Sequence, residues 1–166
     1  MYYLFIVLIG LERLVELAVS RRNANWSFAR GGREFGQGHY PVMVAMHSAL
    51  LLSCMAEVAF AHRPFIPALG WPMVAVVAAS TVVRWWCVVT LGKHWNPRLI
   101  IVPGADLVRS GPYRWIHHPN YTAVAVEVAA LPLVHSAWLT AIVFTIANAA
   151  VLRVRITAEN LALGYA

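Results

Sequence analysis

Long apolar runs dominate this chain, and short polar segments separate them. Apolar residues fill nearly all of positions 2–19, 41–61 and 67–91. At 1.5 Å of rise per residue, each run makes a helix long enough to cross a hydrocarbon core about 30 Å thick. The pattern therefore predicts three transmembrane helices in the first 91 residues.

A fourth apolar region, residues 121–152, is too long for one upright helix. Pro132 lies near its middle, and proline interrupts a helix because it lacks an N–H and its ring clashes with the preceding turn. We expect a hairpin of two shorter helices, with one tilted and kinked span as the alternative. The predicted fold is an all-α integral membrane protein with about five transmembrane helices. It forms a single membrane domain, 1–166, with three helices in 1–91 and a polar loop and hairpin in 92–166.

Composition supports the membrane assignment. The 166 residues are 60% hydrophobic and 12% charged, against about 45–50% and about 25% in a typical soluble domain. So few charged side chains cannot cover the surface of a soluble domain of this length. The same composition excludes a disordered chain, and two cysteines inside apolar runs do not make a disulfide scaffold.

The net charge of +6 is a signal of topology. Ten of the 13 Lys and Arg residues follow the first, third or last apolar run, and only Arg63 lies at the opposite side. Basic residues collect in cytoplasmic loops. We therefore expect a multi-pass protein of the cell membrane with its N-terminus outside and its C-terminus and long loops in the cytoplasm. This distribution leaves no basic face for nucleic acid, so we expect no nucleic-acid partner.

The loop 92–119 is the main candidate for chemistry, because it is long, polar and basic in a chain that has few such segments. It holds His94, His117 and His118, together with Tyr113 and Trp115. Tyrosine and tryptophan beside a span also serve as interfacial anchors, which is the alternative reading. The histidines have neither the spacing nor the partners of a metal motif, so we expect no metal site.

Charged residues near and within the predicted helices supply further candidates. Arg155 and Glu159 lie four residues apart, on one face of a helix. They form either an ion pair at the membrane edge or a site that binds an anionic and a cationic group. Carboxylates and guanidiniums inside spans are costly, so each is expected to pair with another or to face a cavity. This second group comprises Glu12, Arg13, Glu16, Glu57, Arg84 and Glu127.

Three elements together resemble the C-terminal signature of the isoprenylcysteine carboxyl methyltransferase family of integral membrane methyltransferases. They are residues 107–113, residues 118–121, and Arg155 with Glu159. The resemblance implies that S-adenosylmethionine binds in a pocket formed by the cytoplasmic loop and the last two helices. It implies that Arg155 orients the acceptor group as the catalytic residue. The residues that it implies for the cofactor are Ala105, Asp106, Leu107, Val108, Tyr113, His118, Pro119, Asn120, Tyr121, Glu159 and Arg98.

Two positions depart from the family pattern: His117 stands where the family has arginine, and the paired acids at the end read Glu159-Asn160. The N-terminal half is similar to a bacterial subgroup associated with O-methylation of long-chain polyketide pyrones. The implied function is S-adenosylmethionine-dependent O-methylation at the cytoplasmic face. The implied partners are membrane lipids and a lipophilic small-molecule or prenylated acceptor, whose reacting group is a carboxylate or an acidic enol or phenol. For a weakly acidic phenol, His118 or His39 is a candidate base.

Two other functions stay open. Sterol reductases resemble the family around the C-terminal loop and hairpin, which makes an NADPH-dependent membrane reductase one alternative, although 166 residues are few for one. A non-enzymatic membrane scaffold is the other. A scaffold has no need for tyrosine, histidine and arginine concentrated in one loop, whereas an enzyme does.

Overall fold

A computed structural model describes residues 1–163, and helices make up most of that part of the chain. The predicted all-α class is confirmed, with the addition of one short antiparallel ribbon that the sequence did not predict. Residues 164–166, the end of the predicted 92–166 region, lie outside the described residues. The helices are α1 (Tyr2–Phe28), α2 (His39–Phe60), α3 (Pro67–Leu91), α4 (Pro119–Leu133) and α5 (Trp138–Leu163), and the strands are β1 (Arg33–Phe35) and β2 (Leu99–Ile101).

Successive helices run in alternating directions, so the connections gather at two ends of the bundle. We call the end with segments 29–38 and 92–118 the loop end, and the end with segments 61–66 and 134–137 the turn end. The ten basic residues counted above lie at the loop end, and Arg63 lies at the turn end. The candidate residues of the loop and of α5 are therefore brought to the same end of the molecule.

Three segments are long and apolar enough to cross a membrane: His39–Phe60, Pro67–His94 and Trp138–Leu163. The protein is thus a membrane protein by composition and helix length. In α1, the charged residues Glu12, Arg13 and Glu16 interrupt the apolar surface, and α4 has only 15 residues. Five helices are present among the described residues, and the crossing of the membrane by α1 and α4 stays a prediction.

The break predicted at Pro132 is confirmed. Helix α4 continues one residue beyond this proline and ends at Leu133, after which Ser136 takes a positive φ of 56° and turns the chain. On the neighbouring helix, Glu57 accepts hydrogen bonds from the backbone N–H of Leu139, at 3.2 Å, and of Thr140, at 2.7 Å. A carboxylate from α2 therefore caps the start of α5, where the first N–H groups of a helix have no partner within it.

Helices α3 and α4 approach closely at the turn end. A Cβ atom added at Gly70 would lie 2.8 Å from the carbonyl oxygen of Val134, so only glycine fits at this contact. Below it, Ile6, Val77 and Leu131 are almost completely buried in the common core. This packing fixes α4, and with it the residues at the beginning of α4 that face the loop end.

A cluster of buried charges links α1 to α3 and α4. The Arg13 guanidinium donates to both oxygens of Glu127, at 2.8 and 2.9 Å, and to Glu16 at 2.6 Å. Arg84 Nε donates to Glu16 Oε1 at 3.1 Å. These contacts confirm the expected pairing of charges inside the helices. The physical reason is that a low-dielectric surrounding favours paired charges over isolated ones.

Candidate functional site

The loop 92–98 is fixed to a part of α1 that the sequence pattern did not include in the first helix. The apolar run ends at Val19, but α1 continues to Phe28. Asn23 Nδ2 donates to the backbone carbonyls of Gly92, at 3.1 Å, and Trp95, at 2.8 Å. The extra turns of α1 thus form a polar surface on which the loop rests.

Asn96 continues this attachment. Its Nδ2 donates to the Ser20 carbonyl at 3.0 Å, and its Oδ1 accepts from Ser20 Oγ at 3.0 Å and from the Arg98 N–H at 2.8 Å. Directly afterwards, β2 pairs with β1 so that Glu34 lies opposite Ile100. Arg98 Nε donates to Glu34 Oε1 at 2.8 Å, and Arg98 Nη2 makes a second contact with Glu34 Oε2. The segment 96–98 is therefore held from two sides.

A cavity of about 1100 Å³ begins beneath this loop. Its walls come from segment 94–121, one face of α5, and the facing sides of α1 and α2. The structure brings together eleven of the twelve residues that the sequence analysis put forward. The residues that line the cavity are Ala105, Asp106, Leu107, Val108, Tyr113, His118, Pro119, Asn120, Tyr121, Arg155 and Glu159.

Arg98 is the exception. It pairs with Glu34 and borders a small cleft next to the cavity, and its contact with a cofactor stays a prediction. His39 borders that cleft as well, so among the two candidate bases only His118 lines the cavity. Within residues 1–163, no three His, Cys, Asp or Glu side chains come together in a group that could hold a metal ion.

Arg155 is buried in the wall of the cavity, with 6% of its surface exposed. Its Nη2 donates to the carbonyl oxygen of Pro97, and its guanidinium carbon lies 5.6 Å from the centre of the Tyr121 ring. Its Nε–H is buried and has no hydrogen-bond partner among the described residues. One side of a permanently charged, planar group is thus held in place, and other donors remain for a ligand.

Glu159 lies one helical turn beyond Arg155, beside the start of α4. Its Oε1 is 3.9 Å from His118 Nδ1, while His118 Nε2 lies 3.0 Å from Asn160 Oδ1. The His118 ring also stacks on Tyr121, with centroids 5.5 Å apart. Asn160, which the sequence offered only as a departure from a paired acid, therefore holds the histidine on the side away from Glu159.

Gly111 makes the turn that places Tyr113. Its φ is +55°, and a Cβ atom there would lie 2.5 Å from Thr90 Oγ1, so both conformation and space require glycine. Tyr113 then lies beside the Cys87 thiol, and burial raises the pKa of its hydroxyl well above the usual range. The hydroxyl makes a hydrogen bond with the Cys87 thiol, which holds the Tyr113 ring in the cavity wall.

The other half of the cavity is apolar and opens sideways between α1 and α2. Val7, Leu11 and Leu14 from α1 and Leu52 from α2 line it, and each is about half exposed or more. The cavity therefore joins a polar region at the loop end to an apolar opening at the side of the bundle. With the predicted crossing of α1, this opening would face lipid tails.

Three buried polar atoms in the cavity wall lack a hydrogen-bond partner among the described residues: Asn120 Oδ1, Asn148 Oδ1 and Arg155 Nε. Leaving such an atom unpaired costs about 1–3 kcal/mol. All three belong to residues that line the same cavity, so the cavity wall holds hydrogen-bonding capacity that the protein itself does not use. Asn148 lies seven residues before Arg155, about 10 Å deeper along α5 at 1.5 Å per residue, and sequence reasoning missed it because it reads as a lone polar residue in a span.

Comparisons with known proteins identify the family of this chain. Residues 73–164 match the model of the isoprenylcysteine carboxyl methyltransferase (ICMT) family, which covers more than half of the chain and includes the loop, α4 and α5. An uncharacterized protein of Bacillus subtilis (strain 168), YpbQ, is 40% identical over 98% of this chain and 96% of its own length. An uncharacterized protein of Haemophilus influenzae is 23% identical over 92% of this chain and 89% of its own. No solved structure matches the chain. The protein therefore belongs to the isoprenylcysteine carboxyl methyltransferase family and is, in general terms, a membrane methyltransferase.

Proposed function

We propose that this protein transfers a methyl group from S-adenosylmethionine to an anionic oxygen of a lipophilic acceptor at the cytoplasmic face of the cell membrane. The observation that carries the proposal is the position of Arg155. It is a buried cation in the wall of the cavity, and its Nε–H has no hydrogen-bond partner among the described residues. A soluble donor and a membrane-dissolved acceptor both have access to this position.

The lining residues fit S-adenosylmethionine. The molecule has a positive sulfonium and ammonium, a carboxylate, two ribose hydroxyls and an adenine ring. Glu159 and Asp106 supply carboxylates for the positive groups or hydroxyls, and Tyr121 supplies an aromatic face. The unpaired Asn120 Oδ1 supplies an acceptor for a donor of the ligand. The volume of about 1100 Å³ leaves room for an acceptor beside it.

When bound, S-adenosylmethionine supplies an electrophilic methyl group. The protein's task is then to align an oxygen with the sulfur–methyl bond and to keep water away. Arg155 holds the oxygen by charge and by its fixed donor geometry, and a carboxylate or an acidic enol needs no strong base. His118 lines the same space, so it can accept the proton of a less acidic phenol.

The acceptor's tail is proposed to lie in the apolar half of the cavity. The lateral opening at Val7, Leu11 and Leu52 lets a hydrocarbon chain remain in the bilayer while its head reaches Arg155. Burying each CH₂ of the tail in this groove, instead of leaving it in water, is worth about 0.8 kcal/mol. Short soluble analogues with the same head group are therefore expected to be poor acceptors.

The decisive experiment uses the purified full chain in proteoliposomes with tritiated S-adenosylmethionine. Two acceptors are offered, S-farnesyl-N-acetylcysteine as a carboxylate and a long-chain 4-hydroxy-2-pyrone as an acidic enol. In parallel, calorimetric titration compares S-adenosylhomocysteine with NADPH. We expect binding of S-adenosylhomocysteine and label in one of the acceptors. If NADPH binds and S-adenosylhomocysteine does not, the result would favour a reductase. If neither ligand binds, the proposed function is wrong.

A further inference from the structure

We propose that Asn96 and the Glu34–Arg98 ion pair are positioning residues, which orient Arg155 for transfer through the carbonyl group of Pro97. The inference rests on the proposed function, since Arg155 is the group that would hold the reacting oxygen. It assigns to Arg98 a role different from cofactor binding. It also gives a role to Glu34 and Asn96, which the sequence analysis did not select.

A hydrogen bond joins Arg155 to the loop. Pro97 O accepts the hydrogen bond from Arg155 Nη2, and the Tyr121 side chain makes a second hydrogen-bonding contact with the same guanidinium. The direction of the remaining N–H groups therefore depends on where the Pro97 carbonyl lies relative to Tyr121. A shift of the loop moves the guanidinium, while α5 itself stays where its packing holds it.

Side-chain hydrogen bonds hold the residues on both sides of Pro97. Before it, Asn96 makes reciprocal hydrogen bonds of 3.0 Å with the side chain and the carbonyl of Ser20 on α1. After it, Arg98 makes a two-point contact with Glu34 on β1. Asn96 Oδ1 also accepts the Arg98 N–H at 2.8 Å, which fixes the peptide between them.

The ion pair also lies near Arg155, since Glu34 and Arg98 border a small cleft that Tyr121 and Arg155 border too. The two-point geometry matches the fork of an arginine to a carboxylate, which sets orientation as well as distance. The hydrogen bonding that Arg98 donates to the Glu34 carboxylate also raises the pKa of the Arg98 guanidinium.

Exposure differs between the two partners of the pair. The Arg98 side chain is 32% exposed, whereas the Glu34 side chain is 8% exposed, so a single exchange also leaves a charge in a nearly buried position and costs folding stability. A misplacement of about 1 Å at a reacting group can in addition cost about 100-fold in rate. The double exchange keeps one charge of each sign at the pair, so recovery of the rate in that variant separates positioning from the stability lost in the single exchanges.

The test is a charge exchange with a readout that does not need turnover. The variants are Glu34→Arg, Arg98→Glu, the double exchange, and Asn96→Ala. Arg33→Glu, an exposed charge reversal in the same strand, is the matched control. Each is labelled with 3-fluorotyrosine, and the ¹⁹F resonance of Tyr121, assigned with Tyr121→Phe, reports the guanidinium beside its ring. The rate of methyl transfer, the affinity for S-adenosylhomocysteine and the melting temperature are measured on the same samples.

We expect each single exchange and Asn96→Ala to shift the Tyr121 resonance and to lower the maximal rate about 10- to 100-fold. The affinity for S-adenosylhomocysteine should stay within about twofold of the wild-type value. The double exchange should restore the Tyr121 resonance and the maximal rate, and Arg33→Glu should change neither the resonance nor the rate. Single exchanges that leave the Tyr121 resonance and the rate unchanged would overturn the inference, as would a double exchange that does not recover. If wild type transfers no methyl group while the resonance responds as expected, the proposed function fails and the positioning stands.

Discussion

Replacement of Arg13 by methionine should strongly destabilise the protein. Arg13 makes two hydrogen bonds to Glu127, of 2.8 and 2.9 Å, and one of 2.6 Å to Glu16, with only 15% of its side chain exposed. Without it, the carboxylates of Glu12, Glu16 and Glu127 share the single guanidinium of Arg84. Breaking a buried pair by removing one partner costs about 3–5 kcal/mol, because an uncompensated charge stays buried.

The double variant Arg13→Met/Glu127→Met removes one positive and one negative charge together. Its loss of stability should be smaller than the sum of the two single losses by about 1–3 kcal/mol, the coupling expected of residues in one ionic network. Arg63→Met is a matched control, because Arg63 is bound to Glu57 at 2.9 Å but is 34% exposed. It should cost about 1 kcal/mol or less.

The assay is reversible unfolding in mixed micelles at increasing fractions of sodium dodecyl sulfate, followed by tryptophan fluorescence. A loss below about 1 kcal/mol for Arg13→Met, or strictly additive losses in the double variant, would refute the reasoning. The first result would mean that packing holds α1 without a net contribution from Arg13, and the second that Arg13 and Glu127 contribute independently of each other.

Three further predictions concern single contacts. Glu57→Ala removes the carboxylate that accepts from the Thr140 N–H at 2.7 Å, so it should cost about 0.5–2 kcal/mol in the same unfolding assay, with Glu57→Gln recovering part of it. Gly111→Ala places a Cβ atom against Thr90 Oγ1 at a positive φ, and calorimetry should show weaker binding of S-adenosylhomocysteine; unchanged affinity would contradict the role of this turn. Asn148→Leu removes a buried amide with an unpaired oxygen, so it should raise the stability of the ligand-free protein by about 1 kcal/mol or more, and a loss would contradict that assignment.

The helices and most of the cavity wall could be predicted from the sequence. Apolar runs longer than the bilayer core leave few alternatives to helices, and Pro132 marked the hairpin break that the structure has at Leu133. The cavity brings the loop to Arg155 and Glu159, because both long loops and the end of α5 occur at the same end of an alternating bundle. The short connections 61–66 and 134–137, which are visible in the sequence, require that the helices they join run in opposite directions, and the basic residues of the two long loops indicate that these loops share the other end.

The contacts that join distant polar residues could not be predicted. Ser20 and Asn23 follow the last apolar residue of the first run, where periodicity no longer distinguishes a helix from a loop. Strand β1 has three residues and pairs with a strand 66 positions later, and the alternation that reveals strands needs longer segments. Arg98 was matched to a cofactor contact because the family resemblance gave a position but no partner. Its pairing with Glu34 depends on the ribbon, which no local pattern revealed.

The different roles proposed for Arg155 and Glu159 provide the most direct test of the central claim. Methyl transfer from tritiated S-adenosylmethionine and calorimetric binding of S-adenosylhomocysteine are measured for wild type, Arg155→Ala and Glu159→Ala in the same membranes. If Arg155 holds the acceptor and Glu159 the cofactor, Arg155→Ala abolishes transfer and still binds S-adenosylhomocysteine, whereas Glu159→Ala loses binding itself. Retained transfer in both variants would contradict the account.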